Sequence, residues 1–418
     1  MKKYSFNIKI LLVSLLGFSF NTIQSFSQSR LMREYYDDEE KKLKQEYQVD
    51  LGDSGWEKNG YYKSFYPSSR LAVEGNFKMN IKNGWFREYY DTTFNRKNPI
   101  KSQVFYENGK KKGLMCVFNL TGDTLQKATF ENDQIVGKVL TYHNNGKLLR
   151  EGNFVEGLPE GVTKEYYENG KIFKELSFVK GQMHGISKTF YPSGNLQLEE
   201  TYQNGLKEGL QKEFYDLPSS PIMLEYTMIN NTKDGIEKLY SEQGKVIAEN
   251  TYKSGILHGK VRKWDKETLQ LIYEATYEKG YRIGKEIENY PDGKPYQIKN
   301  YSNFEQNKSV VVYARTGEMI FEGNYQNNLL NGLVKESKDG FRSEITYRMG
   351  KKDGNFSVYY PNSQLQSRGH YVNDLLNGNY EEYYENGRIK IKGTYRMGKK
   401  VGKWFLYDEN GKETIEKF

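Results

Sequence analysis

One cysteine and four histidines are all that this 418-residue chain holds of the side chains most used for disulfides, metal sites and nucleophilic catalysis. Cys116 stands alone, which excludes an internal disulfide. His143, His184, His258 and His370 are far apart in sequence, so no local metal-ligand spacing arises. Gly52-Asp53-Ser54-Gly55 looks like a serine-protease nucleophile motif, but every histidine follows it, and the protease order of His, Asp, Ser cannot be met. No phosphate loop, dinucleotide fingerprint, His-Glu-x-x-His pair or EF-hand loop is present. The expectation is a protein without catalysis, cofactor or metal. Apolar residues make up only 36%, against about 45–50% in ordinary globular domains, too little for a thick two-layer core. With 62 Lys and Arg against 54 Asp and Glu, the net charge of +8 is too nearly balanced to point to nucleic acid.

Long apolar runs are also missing, with one short exception. Lys2, Lys3 and Lys9 precede Ile10–Phe20, and Ser25-Phe26-Ser27 offers small residues where a signal peptidase reads. The run is shorter than the roughly 20 residues of a membrane span. Residues 1–27 therefore read as a signal peptide, cleaved near Ser27-Gln28, with export to the periplasm, the outer-membrane region or the medium. Cleavage lowers the formal charge from +8 to +5 through loss of the three lysines.

What the chain has in abundance is glycine and tyrosine, 40 and 36 residues, at fixed spacing. Start positions fall at Gly60, Gly84, Gly113, Gly137, Gly161, Gly185, Gly209, Gly235, Gly259, Gly284, Lys308, Gly332, Gly354, Gly378 and Gly402, and ten of the fourteen intervals are 24 residues. Such a period means one supersecondary unit stacked many times. Five residues past the start stands an aromatic, as at Tyr142, Tyr166, Phe190 and Tyr383; seven residues before the next start stands a second, as at Phe154, Phe178, Tyr202 and Tyr395. Asn289 and Ser337 break the first rule, and Lys308 replaces a start glycine, which puts the regularity of 284–340 in doubt.

Each unit reads as a β-hairpin, because two runs rich in aromatic and β-branched residues flank an Asn-Gly or Ser-Gly turn, with Gly146, Gly170, Gly194 and Gly387 supplying positive φ. A start glycine such as Gly161 is expected to matter only where its backbone packs closely. The expected fold is all-β: an elongated, single-layer, twisted antiparallel sheet of tandem hairpins over 60–418. Residues 28–59 form the preceding cap. They read either as a helix, with acid-base pairs such as Asp37 and Lys41 at i,i+4, or, preferred, as a degenerate first hairpin followed by a loop over 49–59. The stretches 91–102 and 217–221 read as lengthened hairpin loops.

The spacing, with YYENGK at 166–171 and YYENGR at 383–388, resembles the bacterial variant of the MORN repeat over about 60–418. The resemblance implies protein or membrane binding rather than catalysis. Bacterial members are often labelled YwqK-type antitoxins, which implies a toxin-neutralising or immunity role as the alternative.

Two charged rows remain. Lys63, Arg87, Lys164, Lys188, Lys212, Lys238, Arg262 and Lys335 stand three residues past a start, on the strand face of the first aromatic. Glu74, Glu151, Glu175, Glu199, Glu225, Glu249, Glu274, Glu322 and Glu344 stand ten before the next start. The functional reading is a basic and aromatic stripe for an anionic polymer, a lipid headgroup or an acidic protein. The preferred reading is that Lys and Arg cover Tyr rings and pair with Glu across strands. The function expected is an exported scaffold that binds a protein or cell-envelope partner, with a membrane surface as the further alternative.

Overall fold

The computed structural model describes residues 29–53 and 55–418, and the signal peptide expected over 1–27 lies outside the described residues. The described chain contains strands and turns and no helix. It divides into two compact units: the chain to Leu206 with Asp216–Ser220, and Lys207–Tyr215 with Pro221–Phe418.

Each unit is an open antiparallel sheet of tandem hairpins. In the first, Leu158–Tyr166 pairs with Ile172–Val179, with Gly161 opposite Phe178 and Lys164 opposite Glu175. Two kinds of turn join the strands, both legible in the sequence. Within a hairpin the Tyr167–Lys171 loop closes through Gly170 N–H to Tyr167 O at 2.8 Å, with Gly170 at φ 90°. Between hairpins a two-residue turn such as Glu156-Gly157 takes φ 50° and 80°, the left-handed pair that matches the twist of the flanking strands.

The start glycines act differently from expectation. Gly161 has nothing within 4 Å of where a Cβ would stand, yet its φ is +76°. Pairing slips between Glu151 and Asn153 as their partners move from Lys164 to Glu160. The glycine is therefore the left-handed residue of a bulge, required for its φ and not for close packing.

Lys308 shows the same rule by its exception. Pro295–Ser302 pairs with Asn307–Tyr313 without a slip, and the surplus residues enter a longer turn in which Asn303, Phe304 and Glu305 hold φ of 48°, 51° and 68°. With no bulge to form, Lys308 needs no positive φ. Ser337 lies in Gly332–Lys338, which pairs in unbroken register with Phe341–Arg348 through the tight turn Asp339-Gly340. The stretch 284–340 is continuous sheet with altered turns.

Before Gly60 the chain is also sheet. Ser29–Tyr35 pairs with Leu43–Gly52, and Gly55–Phe65 continues the ladder, so the helix reading of 28–59 is replaced by the hairpin and the loop expected over 49–59 is strand, turn and strand. Asp37 accepts the Lys41 backbone N–H at 2.8 Å and caps the first turn instead of one turn of helix. In the longer loop after Tyr90, the Tyr90 N–H meets Pro99 O at 3.0 Å.

The buried centre of each unit is the residue two past the start, whose type varies too much to be singled out in sequence. It is Phe86, Thr163 and Ser187 in the first unit, and Gln211, Glu286, Val334 and Trp404 in the second. The second aromatic row flanks it. Phe77 meets Phe86 edge-on at 5.5 Å between centroids, and Tyr395 meets Trp404 at 4.9 Å.

Candidate interaction surface

Strand alternation assigns the sequence rows to two faces. One face carries the charges. In the first unit Arg33, Glu46, Lys63, Glu74 and Arg87 stand opposite one another on successive strands, as do Glu151, Lys164, Glu175, Lys188 and Glu199. In the second unit Lys212, Glu225, Lys238, Glu249, Arg262 and Glu274 do the same. The basic and acidic rows are one row of alternating sign.

Ion pairs close along it: Arg87 to Glu74 at 3.1 Å, Lys164 to Glu175 at 3.0 Å, Lys188 to Glu199 at 3.9 Å, Lys238 to Glu225 at 3.8 Å, Arg262 to Glu274 at 2.9 Å and Lys335 to Glu322 at 2.9 Å. The candidate stripe is thus neutralised by its own sheet, and each partly exposed pair contributes about 0–1 kcal/mol. The first aromatics join it through their hydroxyls. Tyr89 donates to Glu74 at 2.7 Å, Tyr166 to Glu151 at 2.6 Å and Tyr240 to Glu225 at 2.5 Å. Burial, then the bond to Glu151, pushes the Tyr166 phenol up to about 12, while Lys138 and Tyr166 hold the Glu151 carboxyl below its ordinary value. This is why tyrosine recurs where phenylalanine would leave a carboxylate short of a donor.

The other face carries rings capped by a second set of cations, which the sequence reading missed. Lys58 lies 4.2 Å from the Tyr47 ring and 5.0 Å from that of Tyr62, Lys82 lies 4.8 Å from both Phe86 and Tyr106, and Lys400 lies 4.5 Å from Trp404. Burial among these rings pushes the Lys58 ammonium down from its ordinary value. The signal was a lysine two residues before a start glycine, at Lys58, Lys82, Lys111, Lys233, Lys352 and Lys400.

Two glutamates are the charged members of the buried row, Glu237 and, more deeply, Glu286, 1% exposed. Arg282 at 2.8 Å and Lys299 at 2.9 Å hold it, with the Tyr273 and Tyr301 hydroxyls at 3.2 and 3.4 Å. Burial acts to raise its pKa, and the two cations outweigh that and keep it lowered.

Along the edge of hairpin turns runs a third row, the tyrosine that stands six past eight of the fifteen starts. Its hydroxyl donates to the backbone carbonyl of the next repeat's first aromatic: Tyr66 to Tyr89 O at 2.7 Å, Tyr90 to Phe118 O at 2.8 Å, Tyr167 to Phe190 O at 2.7 Å, Tyr215 to Tyr240 O at 2.7 Å and Tyr384 to Tyr407 O at 2.8 Å. His143 takes the same place, its Nε2 3.0 Å from Tyr166 O. The doubled Tyr-Tyr of the motif therefore has two jobs, the first ring on the charged face and the second joining one repeat to the next.

Beside the charged row, one residue past the start, stand large apolar side chains facing solvent. They are Tyr61, Trp85, Leu114, Val162 and Ile186 in the first unit and Leu210, Ile236 and Leu333 in the second, all exposed. Cys116 is buried within the strand Gly113–Phe118. Among the described residues no group of three or more His, Cys, Asp or Glu side chains could hold a metal ion.

Comparison with known proteins agrees with the geometry. Seven segments, 135–156, 159–180, 183–204, 233–254, 282–303, 352–373 and 376–397, match the model of the MORN repeat variant. No curated protein matches the chain. Among solved structures, the crystal structure of TcdB2-TccC3 without its hypervariable C-terminal region matches at 10% identity, over 92% of this chain and 23% of that one, with a TM-score of 0.16. The chain spans under a quarter of that structure's length, and a likeness at this score carries no argument.

Proposed function

The chain is built from repeats of the MORN variant, and on that premise we propose that it is an exported, non-catalytic scaffold whose sheet face binds a protein partner of the cell envelope. The observation that carries the reading is the exposed apolar row beside the neutralised charge row. Val162 and Ile186 stand two strands apart on one face, roughly 10 Å by strand spacing. Regularly spaced apolar side chains of this size on one face suit a partner surface better than solvent. Charges already paired within the sheet add specificity at the rim of such a contact more than affinity.

Export rests on Lys2, Lys3 and Lys9 before Ile10–Phe20. It favours a partner outside the cytoplasm, and an immunity role is the case in which that partner is a toxin. A membrane surface is less well served, because the basic row is matched by glutamates one for one over most of its length.

Affinity capture from envelope extract with the chain beginning at Gln28 tests the reading. Val162→Asp with Ile186→Asp should lose the captured protein, and Lys164→Ala should keep it. Equal capture by the unmodified chain and both variants, or binding to anionic vesicles without any protein partner, overturns it.

A further inference from the structure

Tyrosine is replaced at several places in the turn row, among them Asn119, Asp265, Ala314 and Ser241, and beside Ser241 lies a cleft. The turn itself is unchanged: Ser241 N–H meets Lys245 O at 2.8 Å and Gly244 N–H meets Ser241 O at 2.8 Å, as Tyr167 N–H meets Lys171 O at 2.9 Å and Gly170 N–H meets Tyr167 O at 2.8 Å. Only the ring is missing. In its place lies an open cleft of about 630 Å³, bounded by Tyr215, Ser241, Ile247 and Leu269 and by a rim of two lysines and two glutamates.

Other repeats show what this position accommodates. Tyr167 packs against Phe173 at 4.8 Å and Tyr290 against Tyr296 at 5.3 Å, and their hydroxyls reach Phe190 O at 2.7 Å and Tyr313 O at 3.0 Å. Counted from Gly235, Ile247 occupies the place of Phe173 and Tyr296, and Trp264 the place of Phe190 and Tyr313. The balanced rim selects against a strongly charged ligand, while an apolar wall at a position whose counterparts Tyr167 and Tyr290 donate to the next repeat's carbonyl suits a neutral ring bearing one donor.

We propose that this cleft binds a tyrosine side chain of the partner protein, its ring against Ile247 and its hydroxyl donating to the Trp264 carbonyl. The partner's ring takes the place that tyrosine holds at Tyr167, Tyr215 and Tyr290. The proposal rests on the scaffold reading for the source of the tyrosine, and not for the chemistry of the cleft.

p-Cresol, the tyrosine side chain as a free molecule, tests that chemistry on the full chain, with the Ile247 and Leu269 methyl resonances as readout. The expected result is a saturable shift at both methyls, weaker with toluene, which lacks the donor, and absent in Ser241→Tyr and Ile247→Tyr. Both substitutions install residues that other repeats carry at these positions, and the backbone amide spectrum confirms that the variants fold. No saturable shift in the unmodified chain, an equal response to toluene, or an unchanged response in both variants overturns the proposal. In the envelope capture, a partner retained by Ser241→Tyr but lost with Val162→Asp and Ile186→Asp sinks the cleft as a docking point and leaves the scaffold standing.

Discussion

Gly393 and Trp404 form a single packing element: a Cβ on Gly393 would stand 2.2 Å from the indole, and Trp404 is 0% exposed. Gly75 beneath Phe86 and Gly369 against Phe356 repeat the arrangement, with a Cβ falling 2.6 and 2.7 Å from the ring. In a sheet with so little aliphatic material, a large ring on the buried row is accommodated by leaving out a side chain on the neighbouring strand. Gly393→Ala should therefore destabilise the last hairpins by about 1–3 kcal/mol through overpacking. Hydrogen exchange should show faster opening over 389–407 and little change near Gly209.

Gly161 and Gly170 should respond alike, for a reason unrelated to space. Their φ values are +76° and +90°, and a Cβ at either meets nothing within 4 Å. A β-branched residue in that conformation costs roughly 1–2 kcal/mol, so Gly161→Val and Gly170→Val should lower the urea midpoint comparably, with Gly161→Asn milder. A neutral Gly161→Val would contradict the bulge assignment.

Tyr167→Phe removes the hydroxyl that reaches Phe190 O at 2.7 Å and leaves the ring against Phe173. The expected cost is about 0.5–1.5 kcal/mol, that of one hydrogen bond. Amide exchange should quicken at the turn of the following repeat, around 190–195, more than within the mutated hairpin. Confinement of the effect to residues 161–172 would show that the row does not join repeats.

Tyr166→Ala should open the sheet locally. Large-to-small truncation at such a ring costs on the order of 3–5 kcal/mol, and the loss also deprives Glu151 of its donor. In a repeat array each hairpin depends mainly on its neighbours, so limited proteolysis should cut around 160–180 and leave resistant fragments on both sides. Uniform digestion from end to end is the contrary result.

Acid should weaken the second unit at Glu286. Its folded pKa is lowered, so its contribution to stability is complete above the unfolded value of about 4.3 and is lost as pH falls through the lower folded value. Glu286→Gln leaves Arg282 and Lys299 without their buried partner and should cost about 3–5 kcal/mol at neutral pH. It should also flatten the acid limb of the stability profile measured by urea titration between about pH 5 and 2. An unchanged acid limb assigns that limb to other carboxylates.

The sequence by itself determined the architecture, because each piece of evidence for it is local. A glycine every 24 residues, an Asn-Gly turn and two aromatic rows are conditions on neighbouring φ angles and on strand alternation, and the hairpins followed from them residue by residue. The alternation of Lys164 with Glu151 and Glu175 was half legible, since both rows could be read but the register that interleaves them is a pairing between strands. What only the tertiary structure decided are the relations carried by position rather than residue type. The buried row changes identity from Phe86 to Thr163 to Glu286 to Trp404, and its constancy is one of place. Gly161 and Lys308 occupy equivalent positions in the repeat, yet the surplus residues form a bulge at one and enlarge the turn at the other, because a two-residue offset can be absorbed in either location without changing which side chains face which way. The cleft beside Ser241 likewise has meaning only beside the rings of Tyr215, Tyr167 and Tyr290, which show what the fold holds at that point.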